Sequence, residues 1–155
     1  MTTKTLLIIA HTPSPNTLKL KNAVIEGAKS STLENTQIKY LSPFDTQPED
    51  IMAADAIILG ATENLGYMNG ALKDFFDRCY YPCLEVKQGL PSAAYIRAGH
   101  DGTSTLKALK TITTGLKWRW VQAPILLRGD YLTNFEEQCT ELGAAMACAL
   151  DEGII

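Results

Sequence analysis

The sequence predicts a three-layer, doubly wound α/β domain: a five-stranded parallel sheet with helices on both faces. Three observations predict it. Short apolar runs alternate with amphipathic segments along all 155 residues, and right-handed crossovers turn such an alternation into a covered parallel sheet. The first run is continuously apolar and the third is apolar and short, as strands buried on both faces are. Finally, three stretches rich in hydroxyl, amide and glycine residues (residues 12–17, 61–68 and 99–103) each follow a strand, and such sheets bind ligands beyond the carboxyl ends of their strands.

The elements follow in order. Residues 5–10, with Leu6-Leu7-Ile8-Ile9-Ala10, read as the first strand. A helix runs from about residue 17 to 29, with Leu20, Val24 and Ala28 on one face. Residues 30–35 are a polar turn, and 37–41 a short strand whose mixed polarity suits a sheet edge. Residues 42–50 form a loop in which Pro48-Glu49-Asp50 can open one short helical turn. Residues 54–60 are the third strand and 61–68 a loop. Asn69 is placed to cap the next helix, whose face is Leu72, Phe75, Phe76 and Cys79 and which Pro82 limits. Residues 91–98 form the fourth strand. Gly99-His100-Asp101-Gly102 is a turn where glycines permit close approach. A helix over 104–114 turns Leu106, Leu109 and Ile112 inward and has Gly115 at its end. Residues 118–127 are the fifth strand region, and Pro124 argues for an edge position or a break. Thr133-Asn134-Phe135-Glu136 has capping-box spacing. Phe135, Cys139, Leu142, Met146 and Leu150 mark the last helix. With no repeat or linker, residues 1–155 read as a single domain.

Composition excludes several functions. Fourteen basic against seventeen acidic residues give a net charge of −3. There is no basic cluster, so nucleic acid is not expected as a partner. The longest apolar run is far shorter than a membrane span. The N-terminus enters a strand at once, which leaves no room for a signal peptide and predicts a cytoplasmic protein. The four cysteines, Cys79, Cys83, Cys139 and Cys148, include no Cys-x-x-Cys pair and have no histidine at zinc spacing. They are expected to be buried reduced thiols, with no metal.

The stretch Thr12-Pro13-Ser14-Pro15-Asn16-Thr17 stands between a buried strand and a helix. A helix N-terminus offers unpaired N–H groups and partial positive charge to an anion. With two prolines in the stretch, N–H groups remain on Thr12, Ser14, Asn16 and Thr17. The residues thus suit a phosphate, or alternatively an ordinary turn capped by Asn16 or Thr17.

On these motifs the sequence resembles the flavodoxin-like superfamily over nearly its whole length. Thr12-x-Ser14-x-Asn16-Thr17 matches the family's phosphate loop, Thr-x-Thr/Ser-Gly-Asn-Thr, with Pro15 in place of glycine. Residues 60–78, from Gly60-Ala61-Thr62-Glu63-Asn64-Leu65-Gly66 through Phe76-Asp77-Arg78, are similar to the second flavin loop and helix of FMN-dependent NAD(P)H:quinone oxidoreductases. Ala98-Gly99-His100-Asp101-Gly102 resembles their third loop. The resemblance implies strand order 2-1-3-4-5 and FMN as cofactor. It implies that Thr12, Ser14, Asn16 and Thr17 hold the phosphate. Thr62, Glu63 and Asn64 would line the ring, with Leu65 and Gly66 near its N5 and O4 side. Gly99, His100, Asp101 and Gly102 would meet the N1, O2 and N3 edge, and Tyr67 could cover a ring face. His100 is the catalytic candidate, able to hold positive charge near neutral pH.

The function implied is electron transfer from NAD(P)H to a quinone or similar small acceptor. The alternatives are a flavodoxin-type one-electron carrier and a non-catalytic binding module. Two departures bear on the choice: Pro15 removes an N–H donor, and the Glu63 carboxylate would oppose negative charge on reduced flavin. Aromatic residues at Tyr67, Tyr80, Tyr81, Trp118 and Trp120 predict a homo-oligomer, since such residues are enriched at interfaces.

Overall fold

The computed structural model describes residues 2–155. The strands are β1 (Lys4–Ala10), β2 (Thr36–Leu41), β3 (Ala56–Asn64), β4 (Tyr67–Met68), β5 (Pro91–Ala98), β6 (Arg119–Trp120) and β7 (Ile125–Arg128). The helices are α1 (Pro15–Lys29), α2 (Pro48–Met52), α3 (Gly70–Cys83), α4 (Thr103–Leu116) and α5 (Thr133–Asp151). The parallel sheet runs β2-β1-β3-β5-β6, and β7 continues alongside β5. Segments β6 and β7 are one fifth strand in two pieces, pairing first with Pro91 and Ser92 and then with residues 95–98. The break falls just before β7, where Pro124 has no N–H to give a ladder. The five-stranded order 2-1-3-4-5 is therefore observed.

Each interior strand serves two cores. On β1, Leu7 and Ile9 face the layer of α2, α3 and α4, while Leu6 and Ile8 face α1 and α5; all four are fully buried. That is why β1 reads as an unbroken apolar run. Helices α1 and α5 approach closely through glycines. A Cβ on Gly27 would lie 1.9 Å from the Thr140 carbonyl oxygen, and one on Gly143 would lie 2.0 Å from that of Val24.

Several expectations are corrected. Residues 61–68 are not a loop: β3 runs on to Asn64 and turns back through Leu65 (φ 54) and Gly66 (φ 77) into antiparallel β4. Two central residues at positive φ are what a tight two-residue hairpin of right-handed twist requires. Pro82 does limit α3, which ends one residue beyond it at Cys83. The αL residue closing α4 is Lys117 (φ 58), not Gly115. Gly115 instead makes room for the Tyr80 hydroxyl, 2.2 Å from where its Cβ would be. The capping box expected at Thr133 is absent. Thr133 lies inside the helix, and the Glu136 carboxylate accepts from the Tyr131 hydroxyl at 2.9 Å.

The aromatic surplus is also smaller than expected. Of the five, Trp118 is buried with its ring centroid 6.3 Å from that of Phe76, Tyr80 and Trp120 are half-buried, and Tyr67 and Tyr81 stand exposed. Cys79, Cys83 and Cys139 are buried free thiols, and Cys148 is half-buried. Among the described residues no helix is long and apolar enough to cross a membrane, and no cluster of metal-ligating side chains occurs.

Candidate functional site

The carboxyl ends of β1, β3, β5 and β7 lie side by side, so the segments that follow them share one edge of the sheet. At the first, His11 still continues the sheet, donating its N–H to the Gly60 carbonyl at 3.0 Å. Burial lowers the pKa of its imidazole. The chain then turns into α1, and the cap is Ser14 rather than Asn16 or Thr17. The Ser14 hydroxyl accepts from the Thr17 N–H at 3.2 Å, and the Ser14 N–H donates to the Thr17 hydroxyl at 3.0 Å. This capping box engages two of the four N–H groups counted from the sequence. The N–H groups of Thr12 and Asn16 have no partner among the described residues, the side chain of Asn16 is exposed and that of Thr12 half-exposed.

The second segment is the β3–β4 hairpin. The Thr62 hydroxyl donates to Asn64 Oδ1 at 2.6 Å. Leu65 at the tip is fully exposed, and Gly66 beside it has open space where a Cβ would be. Glu63 reaches across to the start of α4. Its Oε1 accepts from the Gly102 N–H at 3.0 Å, and its Oε2 accepts from the N–H and hydroxyl of Thr105 at 3.4 and 3.3 Å. The carboxylate thus sits on the N-terminus of α4, where the helix dipole favours negative charge. It forms a strut joining the second segment to the third.

The third segment is 99–102. Gly99, His100 and Asp101 are exposed, and Gly102 is buried at φ 80. Its missing side chain matters, since a Cβ there would lie 2.9 Å from Leu126 Cδ2. The Asp101 carbonyl accepts from Arg128 Nε at 2.8 Å, its carboxylate lies 3.8 Å from the same guanidinium, and it accepts from the Thr103 hydroxyl. His100 has no hydrogen-bonded partner among the described residues and points no proton at another site residue.

Two residues escaped the sequence reading. Arg128 ties the third segment to β7; a strand-end arginine carries no local mark of such a role. Asn69 was expected only as a cap. It does occupy the N-cap of α3, but its side chain makes no cap bond. Its Oδ1 accepts from the Thr62 N–H at 3.1 Å, and its own N–H donates to the Thr62 carbonyl at 2.9 Å. Its Nδ2 is buried with no partner among the described residues. An orphaned buried amide of this kind costs about 1–3 kcal/mol. The carboxyl edge of the sheet thus gathers amide and hydroxyl groups from three segments, a lining whose chemistry suits an anionic, hydrogen-bonding ligand.

The architecture defines a class first: this is the flavodoxin-like fold. The structure is similar to that of a flavodoxin from the domain Archaea (TM-score 0.77, 18% identity, covering 94% of this chain and 98% of that one). It is similar also to two-electron reduced Megasphaera elsdenii flavodoxin (TM-score 0.74, 18% identity, covering 93% and 99%). Within that fold, the sequence is 35% identical to a flavodoxin of Aquifex aeolicus over 111 residues, 72% of this chain. The match spans 59% of the length of that relative. No protein-family model matches the chain.

Proposed function

We propose that the protein binds FMN at the carboxyl edge of its sheet and works as a flavodoxin-type one-electron carrier. The observation that carries this reading is the 35% identity to a flavodoxin, falling on a sheet whose edge presents Thr12 and Asn16 beside the β3–β4 hairpin. Bound FMN supplies the electron chemistry; the chain supplies binding, orientation and electrostatics. Thr12, Asn16 and the α1 N-terminus hold the phosphate, with Ser14 and Thr17 shaping the turn. Thr62, Asn64, Leu65 and Gly66 lie along one side of the ring, and Gly99, His100, Asp101 and Gly102 along its pyrimidine edge. Glu63 fixes the spacing between those two segments and stays off the ring. The exposed Leu65 tip is the apolar point at which a redox partner meets the cofactor.

Titration with FMN should quench flavin fluorescence. Because the Ser14 hydroxyl caps α1, replacing it would also weaken the helix by about 1 kcal/mol. Thr12→Ala with Asn16→Ala is therefore the cleaner test. Each lost charge-assisted bond should cost roughly 1.5–3 kcal/mol of binding. Unchanged affinity in the double variant places the phosphate elsewhere.

A second reading, oxidation of NAD(P)H with electrons passed to a quinone or similar small acceptor, is favoured by one observation. A cleft of about 370 Å3 beside the hairpin is lined by Tyr67, Lys73, Ser104, Lys107, Thr111 and Ile112. Its aromatic ring and two ammonium groups suit a nicotinamide nucleotide. Anaerobic mixing of FMN-loaded protein with NADH and NADPH separates the readings. The carrier keeps its flavin band with both nucleotides and takes up dithionite electrons in two resolved one-electron steps. Rapid bleaching by either nucleotide establishes the oxidoreductase instead.

A further inference from the structure

We propose that Asn69 is a cofactor-binding residue, its Nδ2 donating to an oxygen of the ribityl phosphate chain of bound FMN. The assignment deepens the FMN reading and rests on it.

The position of Asn69 follows from the bonding of β3. In a parallel ladder, alternate residues of a strand turn their N–H and C=O toward the same neighbour. The Gly60 carbonyl accepts from the His11 N–H, so Gly60 faces β1. Thr62, two residues on, faces the same way. By that level β1 has ended at Ala10 and the chain has left the sheet for α1. Asn69 stands where β1 would have continued: its backbone N–H donates to the Thr62 carbonyl at 2.9 Å, and its Oδ1 accepts from the Thr62 N–H at 3.1 Å. Asn69 therefore fills the seam between the first segment, which opens toward the phosphate-suited turn, and the hairpin that flanks the ring. A chain linking phosphate to ring has to cross that seam.

The chemistry of the side chain points the same way. The orientation of an asparagine amide is set by its hydrogen bonds. The Thr62 N–H is a donor, so the atom facing it is oxygen and the other is Nδ2. Asn69 is 1% exposed, and Nδ2 has no partner among the described residues. A buried NH2 held rigidly by its own oxygen, beside a run of ligand-suited loops, is a preorganised donor. The ribityl hydroxyls and phosphate oxygens of FMN are acceptors that match it. An aspartate would satisfy Thr62 equally well, so the structural role alone does not account for an amide at this position.

The experiment compares wild-type protein with Asn69→Asp, which keeps an acceptor for the Thr62 N–H and loses the donor. FMN titrations are run in about 1 M salt, which screens the part of the added charge's repulsion of phosphate that passes through solvent. The expected result is a dissociation constant raised about tenfold or more, with the thermal midpoint of the cofactor-free variant near that of wild type. A constant within twofold of wild type overturns the assignment. If Asn69→Asp fails to fold, wild-type protein decides the matter by NMR. FMN should move the Asn69 side-chain amide protons downfield and slow their exchange with solvent, and resonances unmoved at saturation overturn the proposal. Wild-type protein that leaves flavin fluorescence unquenched removes the FMN reading and this assignment together. Wild-type quenching with an unaffected Asn69→Asp removes this assignment alone.

Discussion

Tyr95 carries a hydroxyl that the fold has taken out of water and left unpaired. It is 2% exposed, its oxygen has no partner among the described residues, and burial pushes its pKa well above the usual value. Gly60, its register partner on β3, gives the ring its space: a Cβ there would lie 2.3 Å from the hydroxyl oxygen. Deleting an unpaired buried group recovers its desolvation cost, so Tyr95→Phe should raise stability by about 1–3 kcal/mol. At about 2–4 °C per kcal/mol for a chain of this size, differential scanning calorimetry resolves that gain. A lowered midpoint means the hydroxyl has a partner after all. Gly60→Ala should act in the opposite sense by forcing the ring aside. The thiols behave consistently with their surroundings. Burial pushes Cys79 up to about 11 and Cys139 up to about 12, and the thiolate is the reactive form. In the native state at mildly alkaline pH, an aromatic disulfide reagent should therefore titrate Cys148 and spare Cys79, Cys83 and Cys139. Rapid reaction of more than one thiol would show that the core opens readily.

The helix pair α1 and α5 owes its closeness to glycine. At Gly27 and Gly143 the facing backbone comes near enough that any side chain would strike a carbonyl, so Gly143→Ala should cost about 1–3 kcal/mol despite its better helix propensity. At the other end of α5, Asp151 accepts from the N–H groups of Glu34 and Asn35 at 3.0 and 2.8 Å and from the Thr36 hydroxyl at 2.8 Å. Those backbone N–H bonds hold its pKa below the ordinary value. A depressed folded-state pKa stabilises above the unfolded value and is lost as pH falls through the folded one. Asp151→Asn should therefore lower the midpoint at neutral pH, and the difference from wild type should start to shrink near the ordinary carboxylate pKa and vanish only below the lower folded-state pKa. A difference that persists into strong acid would trace the effect to packing. Elements of this kind were legible in the sequence where the cause was local. The faces of α1, α3 and α5 and the buried strands β1, β3 and β5 follow from apolar spacing alone, whereas α4 buries Thr105 and Thr113 beside Leu109 and leaves Leu106 and Ile112 half-buried. What was not legible depended on distant partners. Spacing nominated Asn16 or Thr17, Asn69 and Thr133 as caps, yet Ser14 took the first position, Thr62 drew away the side chain of Asn69, and Tyr131 engaged Glu136. The hairpin was missed because Thr62-Glu63-Asn64 looks like loop, and Leu65-Gly66 lacks the asparagine or aspartate that usually marks such turns. The hydrogen bonds of Glu63 to Gly102 and Thr105 leave no local mark because both partners are far along the chain.

At the scale of the whole molecule, one sheet divides two apolar layers that cannot part independently. Leu7 and Ile9 anchor the side of α3 and α4, and Leu6 and Ile8 the side of α1 and α5, all on the same strand. Stripping either layer would expose fully buried side chains across β1, β3 and β5, so an intermediate with one layer gone is penalised along the full width of the sheet. Residues 1–155 should therefore unfold in urea as a single domain. Two probes watch different parts of it. Tryptophan fluorescence reports the side of α3 and α4, where Trp118 and Trp120 pack, and far-ultraviolet circular dichroism sums helices from both sides. Coincident transitions are the expected result, and tryptophan changing at a lower urea concentration than ellipticity would show that the α3–α4 layer separates first. FMN extends the test. A ligand that binds only the folded chain stabilises it by about 2.7 kcal/mol at 100 times its dissociation constant. Because the proposed site takes residues from the ends of β1, β3 and β5 together, FMN should displace both transitions equally. A shift seen by one probe alone would mean that the cofactor holds only part of the sheet.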